Sequence, residues 1–273
     1  MKTSIRVANK TAYYLALCVI LVCVSFPFIW MILASFKTQV QIQSTQNLFV
    51  FKPIFTNYPK VFKDYDFLRP IFNSFVIAAG STVVGLILGL PASYAIARYR
   101  QRLLGIIILI IRFFPGITFL IPWFIIFSNL GLIDTYAALI VSHLLINLPF
   151  IIWLMVPFFE GMPRDLEDSA RVDGCSTLQT FLRISLPLAS PGIVTASLLS
   201  FVFSWNNFVF SMVLSGGRTK TLPLAVFNFV SYALIDWGAL MAASVIITLP
   251  VLVIAFITQR YIIQGLTAGA VKG

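Results

Sequence analysis

The sequence predicts an all-α integral membrane protein with six transmembrane helices and one polar loop of helices on the cytoplasmic side. Apolar residues make up 59% of the 273 residues, charged residues make up 10%, and the mean hydropathy is +0.96. A chain of this composition cannot give a soluble domain a polar surface. The net charge of +10 does not indicate nucleic-acid binding, because the bases lie in short segments between apolar runs.

Each predicted span is an apolar run of sufficient length. A helix that crosses about 30 Å of hydrocarbon needs roughly 20 residues, at about 1.5 Å per residue. A strand cannot satisfy its backbone hydrogen bonds in lipid, so each run is predicted as a helix. The first run follows three bases but lacks a small-residue cleavage site, and is interpreted as a retained span. The six runs, which form one transmembrane domain over residues 1–273, lie at about 12–34, 71–96, 103–128, 136–158, 186–212 and 238–259.

The loop charges predict the orientation. With both termini in the cytoplasm, the inner segments carry eleven Lys and Arg residues and the outer segments carry seven. Arg98, Arg100 and Arg102 share one short turn, which is typical of a cytoplasmic loop. The longer outer loops, about 35–70 and 213–237, either form a rim that receives a partner or simply close the bundle.

A polar segment at about 160–185 interrupts the apolar pattern and is predicted to contain two short helices. Asp165 is expected to cap the first helix, which runs to about Asp173. Gly174 supplies the left-handed conformation that ends a helix. Ser176 and Gln179 have the spacing of a capping box for the second helix.

The second helix carries an apolar stripe of Leu178, Phe181 and Leu182. One interpretation is a helix that lies on the membrane surface. The acidic first helix argues against it, since a surface helix places Lys and Arg toward anionic lipid. Glu167 and Asp168 are better suited to a basic or amide-lined groove on a protein.

These residues carry a family resemblance. Glu167, Ser169, Ala170, Gly174, Ile184, Leu186 and Pro187 resemble the Glu-Ala-Ala…Gly…Ile-x-Leu-Pro signature of ABC importer permeases. The residues that extend the similarity to six-span, maltose-type sugar permeases are Phe114-Pro115, Gly131 to Thr135, Trp205 to Phe208, Asp236-Trp237-Gly238 and Gln259 to Gly273. Ser169 replaces the first Ala of the usual pair, and Asn207 stands where an acid is common.

The resemblance implies a type I importer fold and a set of partners. These are a second homologous permease, two cytoplasmic ATPase subunits and an extracytoplasmic solute-binding protein, with a sugar-class substrate, in a bacterial or archaeal inner membrane. It also implies that the segment at 160–185 docks the ATPases through a coupling helix. The residues assigned to that role are Glu167, Asp168, Ser169, Ala170, Asp173, Gly174, Leu186 and Pro187.

The chain has no Gly-x-x-x-x-Gly-Lys loop and no Gly-Lys pair, so ATP and Mg²⁺ are expected on partner subunits. The alternative is an ion-coupled secondary carrier, which needs titratable groups within the membrane. All nine acids lie outside the six runs, and only Arg112 and His143 are ionisable within them. One His without a convergent partner also argues against an intramembrane enzyme or a metal site.

Five residues are candidates for the substrate path. Arg112, near the middle of the third run, is expected to face a cavity or ligand, or to pair with carbonyls or the second permease. Asn147, Asn206 and Asn207 suit sugar hydroxyls and Trp205 suits a sugar face, with interhelical contacts as the alternative for each. His143 is expected to be a satisfied bundle residue.

Overall fold

The computed structural model describes residues 2–230 and 235–268. This described part is helical, and its only β-structure is an isolated bridge between Val230 and Ile235. The predicted all-α fold is therefore confirmed. Residues 269–273, which end the C-terminal motif, lie outside the described residues.

The helices are numbered in chain order. They are α1 Lys2–Ser35, α2 Gln39–Gln43, α3 Asn57–Lys63, α4 Leu68–Arg98, α5 Arg102–Phe113, α6 Leu120–Asn129, α7 Tyr136–Glu160, α8 Arg164–Val172, α9 Thr177–Thr180, α10 Leu186–Leu188, α11 Ser190–Trp205, α12 Val209–Leu214, α13 Leu222–Ala225 and α14 Trp237–Ala268. A π-helical turn, Phe181–Ser185, joins α9 to α10.

Four helical segments are long and apolar enough to cross a membrane by themselves. They agree to within a few residues with four of the predicted runs. They are Ala12–Ser35, Leu68–Arg98, Tyr136–Glu160 and Trp237–Gln259.

The other two runs are bent, so the prediction of continuous helices over 103–128 and 186–212 was wrong. Arg102–Phe113 and Gly116–Asn129 meet at 88°. Phe114 is extended there because it precedes Pro115, whose ring disfavours the helical conformation of the residue before it. If this bent pair and the one described next are each counted as one span, the described residues contain six spans.

The second bent pair lies at the entry to the fifth predicted run. Thr177–Leu188 and Ser190–Trp205 meet at 77°, with Pro191 in the first turn of the second helix. The run then breaks again after Trp205. Asn207 accepts a hydrogen bond from the Phe210 N–H through its Oδ1 at 3.1 Å, and a separate helix, α12, begins at Val209.

The described residues divide into two compact units, with boundaries at Phe67–Leu68, Ala225–Val226 and Leu249–Pro250. In the unit that contains α4 to α13, α4 and α7 pack through glycines. A Cβ atom added at Gly85 or Gly89 would lie 2.8 or 2.7 Å from a methyl group of Ile151. Small residues let membrane helices approach closely, and here they bring α4 and α7 together.

The other unit contains α1 to α3 and the start of α14. Lys37 is fully buried, donates from Nζ to the Leu48 carbonyl at 2.7 Å and lies 4.6 Å from the ring centre of Trp30. Burial lowers the pKa of this amine. Burial acts to raise the pKa of Asp236, but its hydrogen bonds and its ion pair with Lys60 outweigh burial and lower it, and the same pair raises the pKa of Lys60. The Lys60–Asp236 pair therefore links α3 to the residue before α14 within this unit.

Candidate functional site

Helices α8 and α9 form the polar segment, and the turn between them has the predicted geometry. Gly174 has a φ of +86°, a left-handed conformation. The Cys175 N–H donates to the Ala170 carbonyl at 2.9 Å and the Gly174 N–H donates to the Arg171 carbonyl at 3.0 Å, as in a Schellman motif. The capping box of Ser176 and Gln179 is also present. The turn is therefore fixed by backbone hydrogen bonds at the end of α8 and by side-chain caps at the start of α9.

The start of α8 differs from the prediction. The helix begins at Arg164 after Pro163, and no side chain caps it, so Asp165 is not the cap. The residue before the helix is Pro163, whose φ of −56° suits a helix entry. Asp165 is the second residue of the helix, so it cannot be the residue that caps its start. Asp165 lies in the first turn, where its charge suits the helix dipole.

Glu167 is only 4% exposed and is directed into the protein. Its Oε1 lies 2.7 Å from Arg98 Nη2 and accepts hydrogen bonds from Arg98 Nε at 2.8 Å and Ser185 Oγ at 2.9 Å. Its Oε2 accepts from the Tyr94 hydroxyl at 3.1 Å. The expectation that Glu167 faces a groove on a partner is therefore wrong, because the partner of this carboxylate is Arg98 of the same chain.

These four residues, Tyr94, Arg98, Glu167 and Ser185, are called the Glu167 anchor. The anchor joins α8 to the last turn of α4 and to the π-helical turn that leads into α11. A buried, fully paired carboxylate of this kind holds a fixed geometry, since leaving either charge unpaired is costly. Movement of α8 is thereby linked to two membrane helices.

The other assigned residues divide between an outer face and an inner face. Asp168, Ser169 and Asp173 are exposed, whereas Ala170 is buried. Asp168 pairs with Arg171 at 3.3 Å on the surface, and Ser169 Oγ donates to the Asp165 carbonyl at 2.8 Å.

The predicted apolar stripe is split. Phe181 is buried, with its ring centre 4.9 Å from that of Tyr94. Leu178 and Leu182 are 65% and 51% exposed, and Val172 is 88% exposed. Exposed apolar side chains within a polar segment are candidates for contact with another molecule. Leu178, Leu182 and Val172 are called the exposed apolar patch.

Leu186 and Pro187 lie at the far end of the segment. Leu186 is half-buried and packs on the core cluster that contains Phe181, whereas Pro187 is exposed. Both belong to α10, immediately before the 77° bend into α11. They therefore lie at the junction between the segment and the membrane helix.

The candidate substrate-path residues make internal contacts. Asn147 is buried and donates from Nδ2 to Ser81 Oγ at 3.2 Å. Ser81 donates to Ser204 Oγ at 3.0 Å, and Ser204 Oγ lies 2.6 Å from His143 Nδ1. Asn147 and His143 therefore belong to one buried polar chain across α4, α7 and α11.

Of the remaining candidates, Trp205 is buried, whereas Asn206 and Arg112 are exposed. Trp205 is buried and stacks on Phe201 with a centroid distance of 5.7 Å. Asn206 is exposed and donates to the Val202 carbonyl at 3.0 Å. The exposed guanidinium of Arg112 lies 4.9 and 5.0 Å from the ring centres of Phe150 and Trp153. Arg112 is thus stabilised by cation–π contacts with α7.

Sequence reasoning missed the role of Asp134, which organises the 215–219 loop. Its Oδ1 accepts from the N–H groups of Gly216 at 2.8 Å and Thr219 at 2.9 Å and from the Thr219 hydroxyl at 2.7 Å. Its Oδ2 accepts from the Arg218 N–H at 3.0 Å. These hydrogen bonds lower the pKa of Asp134 well below its usual value, although burial opposes them.

The chain is similar to known transport proteins. Residues 81–268 match the family described as "Binding-protein-dependent transport system inner membrane component". The trehalose/maltose transport system permease protein MalG of Thermococcus litoralis is 35% identical, over 94% of this chain and 95% of that protein. The trehalose transport system permease protein SugB of Mycobacterium tuberculosis is 34% identical, over 97% of this chain and 99% of that protein.

A solved structure shares the fold. A bacterial ABC transporter involved in the import of the acidic polysaccharide alginate aligns with a TM-score of 0.79 and 24% identity, over 92% of this chain and 95% of that one. The membrane helices and the polar helical segment define the class of the protein, a permease subunit of an ABC importer. The chain belongs to the family of binding-protein-dependent transport system inner membrane components. Members of this family are permeases rather than the ATPase subunits.

The turn at Gly174 provides the first test of this site. Gly174→Val is expected to destabilise the α8–α9 turn, because a left-handed conformation costs a residue with a side chain roughly 1–2 kcal/mol, and a β-branched one more. No atom lies within 4 Å of a Cβ added at Gly174, so strain and not crowding is the cause. ATP-driven uptake by the assembled transporter is the measurement.

Gly174→Asn is the matched control, since Asn tolerates the left-handed conformation better than Val. We expect it to retain most of the uptake that Gly174→Val loses. Equal uptake by the two variants and the parent would show that this turn geometry is unimportant.

Proposed function

We propose that the chain pairs with a second, homologous permease to form the translocation path for a sugar or a related polyol or glycoside. Two ATPase subunits on the cytoplasmic side and an extracytoplasmic solute-binding protein complete the complex. The names of the relatives support a sugar-class substrate. A related solved structure, with a TM-score of 0.66, contains an alginate ABC transporter with a pentasaccharide-bound periplasmic protein, which supports the external partner.

The coupling segment is residues 160–185. In our proposal the exposed apolar patch and the exposed Asp168, Ser169 and Asp173 contact an ATPase subunit. The Glu167 anchor is the observation that most directly supports this coupling role, because it fixes α8 to α4 and to the entry of α11. Nucleotide-driven movement of the ATPase would then displace these helices together, as a two-state switch requires.

The energy source lies outside the chain. ATP and Mg²⁺ are bound by the partner ATPases, and the permease has no catalytic residue of its own. The described residues contain no group of three or more His, Cys, Asp or Glu side chains that could hold a metal ion. The ion-coupled carrier is the weaker alternative, since family membership favours the ATP-driven class.

The orientation follows from the loop charges. We place both termini and the coupling segment in the cytoplasm of a bacterial or archaeal cell, with the multi-pass bundle in its inner membrane. Arg98, Arg100 and Arg102 support this choice, because short basic loops stay inside.

Arg112, Asn206 and Asn207 remain our candidates for contact with the solute. Arg112 and Asn206 are exposed in the single chain and Asn207 is half-buried, so all three are available to a path shared with a second permease. Asn147 and Trp205 are buried and would shape this path from behind.

Leu178→Asp tests the docking of the ATPase. The leucine is 65% exposed, so its substitution leaves the fold intact. Burying a leucine at an interface contributes about 1.5–3 kcal/mol, which corresponds to roughly 10- to 150-fold in affinity. We expect a loss of that order in ATPase affinity, measured by titration of the ATPase onto the permease in nanodiscs.

Leu178→Met is the matched control, because it preserves an apolar side chain of similar volume. It is expected to bind the ATPase nearly as well as the parent. Parental affinity in Leu178→Asp would place the docking surface elsewhere.

A further inference from the structure

An open apolar groove of about 340 Å³ lies between α4, α5 and α7. Its walls include Ile106 and Leu109 of α5 and Trp153 of α7, and two charged residues, Arg102 and Glu160, also line it. Arg102 is the first residue of α5 and Glu160 is the last residue of α7, so both charges lie at the same end of the groove. The groove therefore has a charged rim and an apolar interior.

The two rim charges are unpaired within the part of the chain that the structure describes. Neither the Arg102 guanidinium nor the Glu160 carboxylate makes an ion pair or side-chain hydrogen bond there, although they line one groove. Each also lies at the helix end that disfavours it, a cation at the start of α5 and an anion at the end of α7. A ligand with an anionic group near Arg102 and a cationic group near Glu160 would pair both charges.

The groove is long enough to extend from the lipid headgroups to the acyl chains. From Arg102 to Leu109 the helix advances by about 10 Å, at about 1.5 Å per residue. The ends of spanning helices lie near the headgroups, so an apolar wall of this length reaches the acyl chains. Trp153, seven residues before Glu160 on α7, also lines the groove.

We propose that this groove binds an aminophospholipid, with phosphatidylethanolamine as the representative. The phosphate contacts Arg102, the primary ammonium contacts Glu160, and one acyl chain lies along Ile106 and Leu109. Basic sites between membrane helices bind lipid headgroups, and the acid here selects a zwitterion over an anionic lipid. This proposal is independent of the transported solute.

The test counts the lipids retained by the whole transporter. The complex is placed in nanodiscs of equal phosphatidylethanolamine and phosphatidylglycerol, released into mild detergent, and measured by native mass spectrometry. We expect the parent to retain phosphatidylethanolamine in preference. Arg102→Gln and Glu160→Gln should each reduce this retention by about fivefold or more, because each removes one charge-assisted hydrogen bond.

Glu160→Gln should also shift the preference toward phosphatidylglycerol, a change that a merely structural role would not produce. Arg100→Gln and Asp64→Asn are controls that alter exposed charges outside both the groove and the proposed ATPase contacts, and they should retain lipid like the parent. Equal retention by the groove variants and the parent would overturn the proposal. Leu109→Cys could also be combined with a cysteine introduced into the second permease and treated with an added oxidant. A disulfide between the two would overturn the proposal, since protein would then cover the groove.

Discussion

Glu167→Ala is expected to abolish ATP-driven uptake while the chain still enters the membrane. The substitution leaves Arg98 without its counterion, and the Arg98 side chain is buried, with only 7% of it exposed. Breaking a buried ion pair by removing one partner costs about 3–5 kcal/mol. Because the pair joins α8 to α4, the loss falls on the attachment of the coupling segment. Uptake into proteoliposomes and hydrogen exchange over residues 164–180 are the measurements.

Asp168→Ala is the matched control, one residue away on the same helix. Its pair with Arg171 is exposed at 3.3 Å, and exposed pairs contribute about 0–1 kcal/mol. Hydrogen exchange over residues 164–180 should therefore change little in Asp168→Ala, in contrast to Glu167→Ala. The double variant Arg98→Ala/Glu167→Ala should be less damaged than the sum of the single variants, since neither charge is left alone. Parental uptake by Glu167→Ala would contradict the role given to the anchor.

Asp134→Ala is expected to have the second largest effect, by releasing the 215–219 loop. Three backbone N–H groups and the Thr219 hydroxyl lose their acceptor. Hydrogen bonds to charged groups contribute about 1.5–3 kcal/mol each, and their loss is not additive, so we expect a total of roughly 3–5 kcal/mol. Faster amide exchange at Gly216 and Thr219 is the measurement.

Asp134 also predicts a pH dependence. Its folded-state pKa is lowered, and the pKa of an unfolded Asp is about 3.9. The stabilisation is therefore complete above about pH 5 and is lost as the pH falls below about 4. Acid unfolding in detergent should show a midpoint shifted in Asp134→Asn and unchanged in Asp173→Asn, whose parent carboxylate is exposed. Identical acid profiles for Asp134→Asn and the parent would contradict this assignment.

The membrane helices could be predicted because their signal is local. Apolar runs reveal four spans to within a few residues, and the Gly174 turn and the Ser176 capping box follow from spacings of a few residues. The 88° bend at Phe114-Pro115 was missed since both sides of the break are equally apolar.

The anchor and the Asp134 hub could not be predicted, because their partners are distant in the chain. Glu167 lies 69 residues from Arg98, and Asp134 lies 85 residues from Thr219. A charge pattern shows that Glu167 is acidic, but only packing decides whether it faces a partner or the core. The one available signal was that Tyr94 and Arg98, four residues apart, share a helix face.

Labelling of residue 178 tests the central claim most directly. Leu178→Cys is introduced after Cys18, Cys23 and Cys175 are replaced by Ser, and an impermeant maleimide is applied to oriented vesicles with and without the ATPase. The claim predicts labelling only from the cytoplasmic side, and protection when the ATPase binds. Labelling from the opposite side, or equal labelling with and without the ATPase, would contradict it.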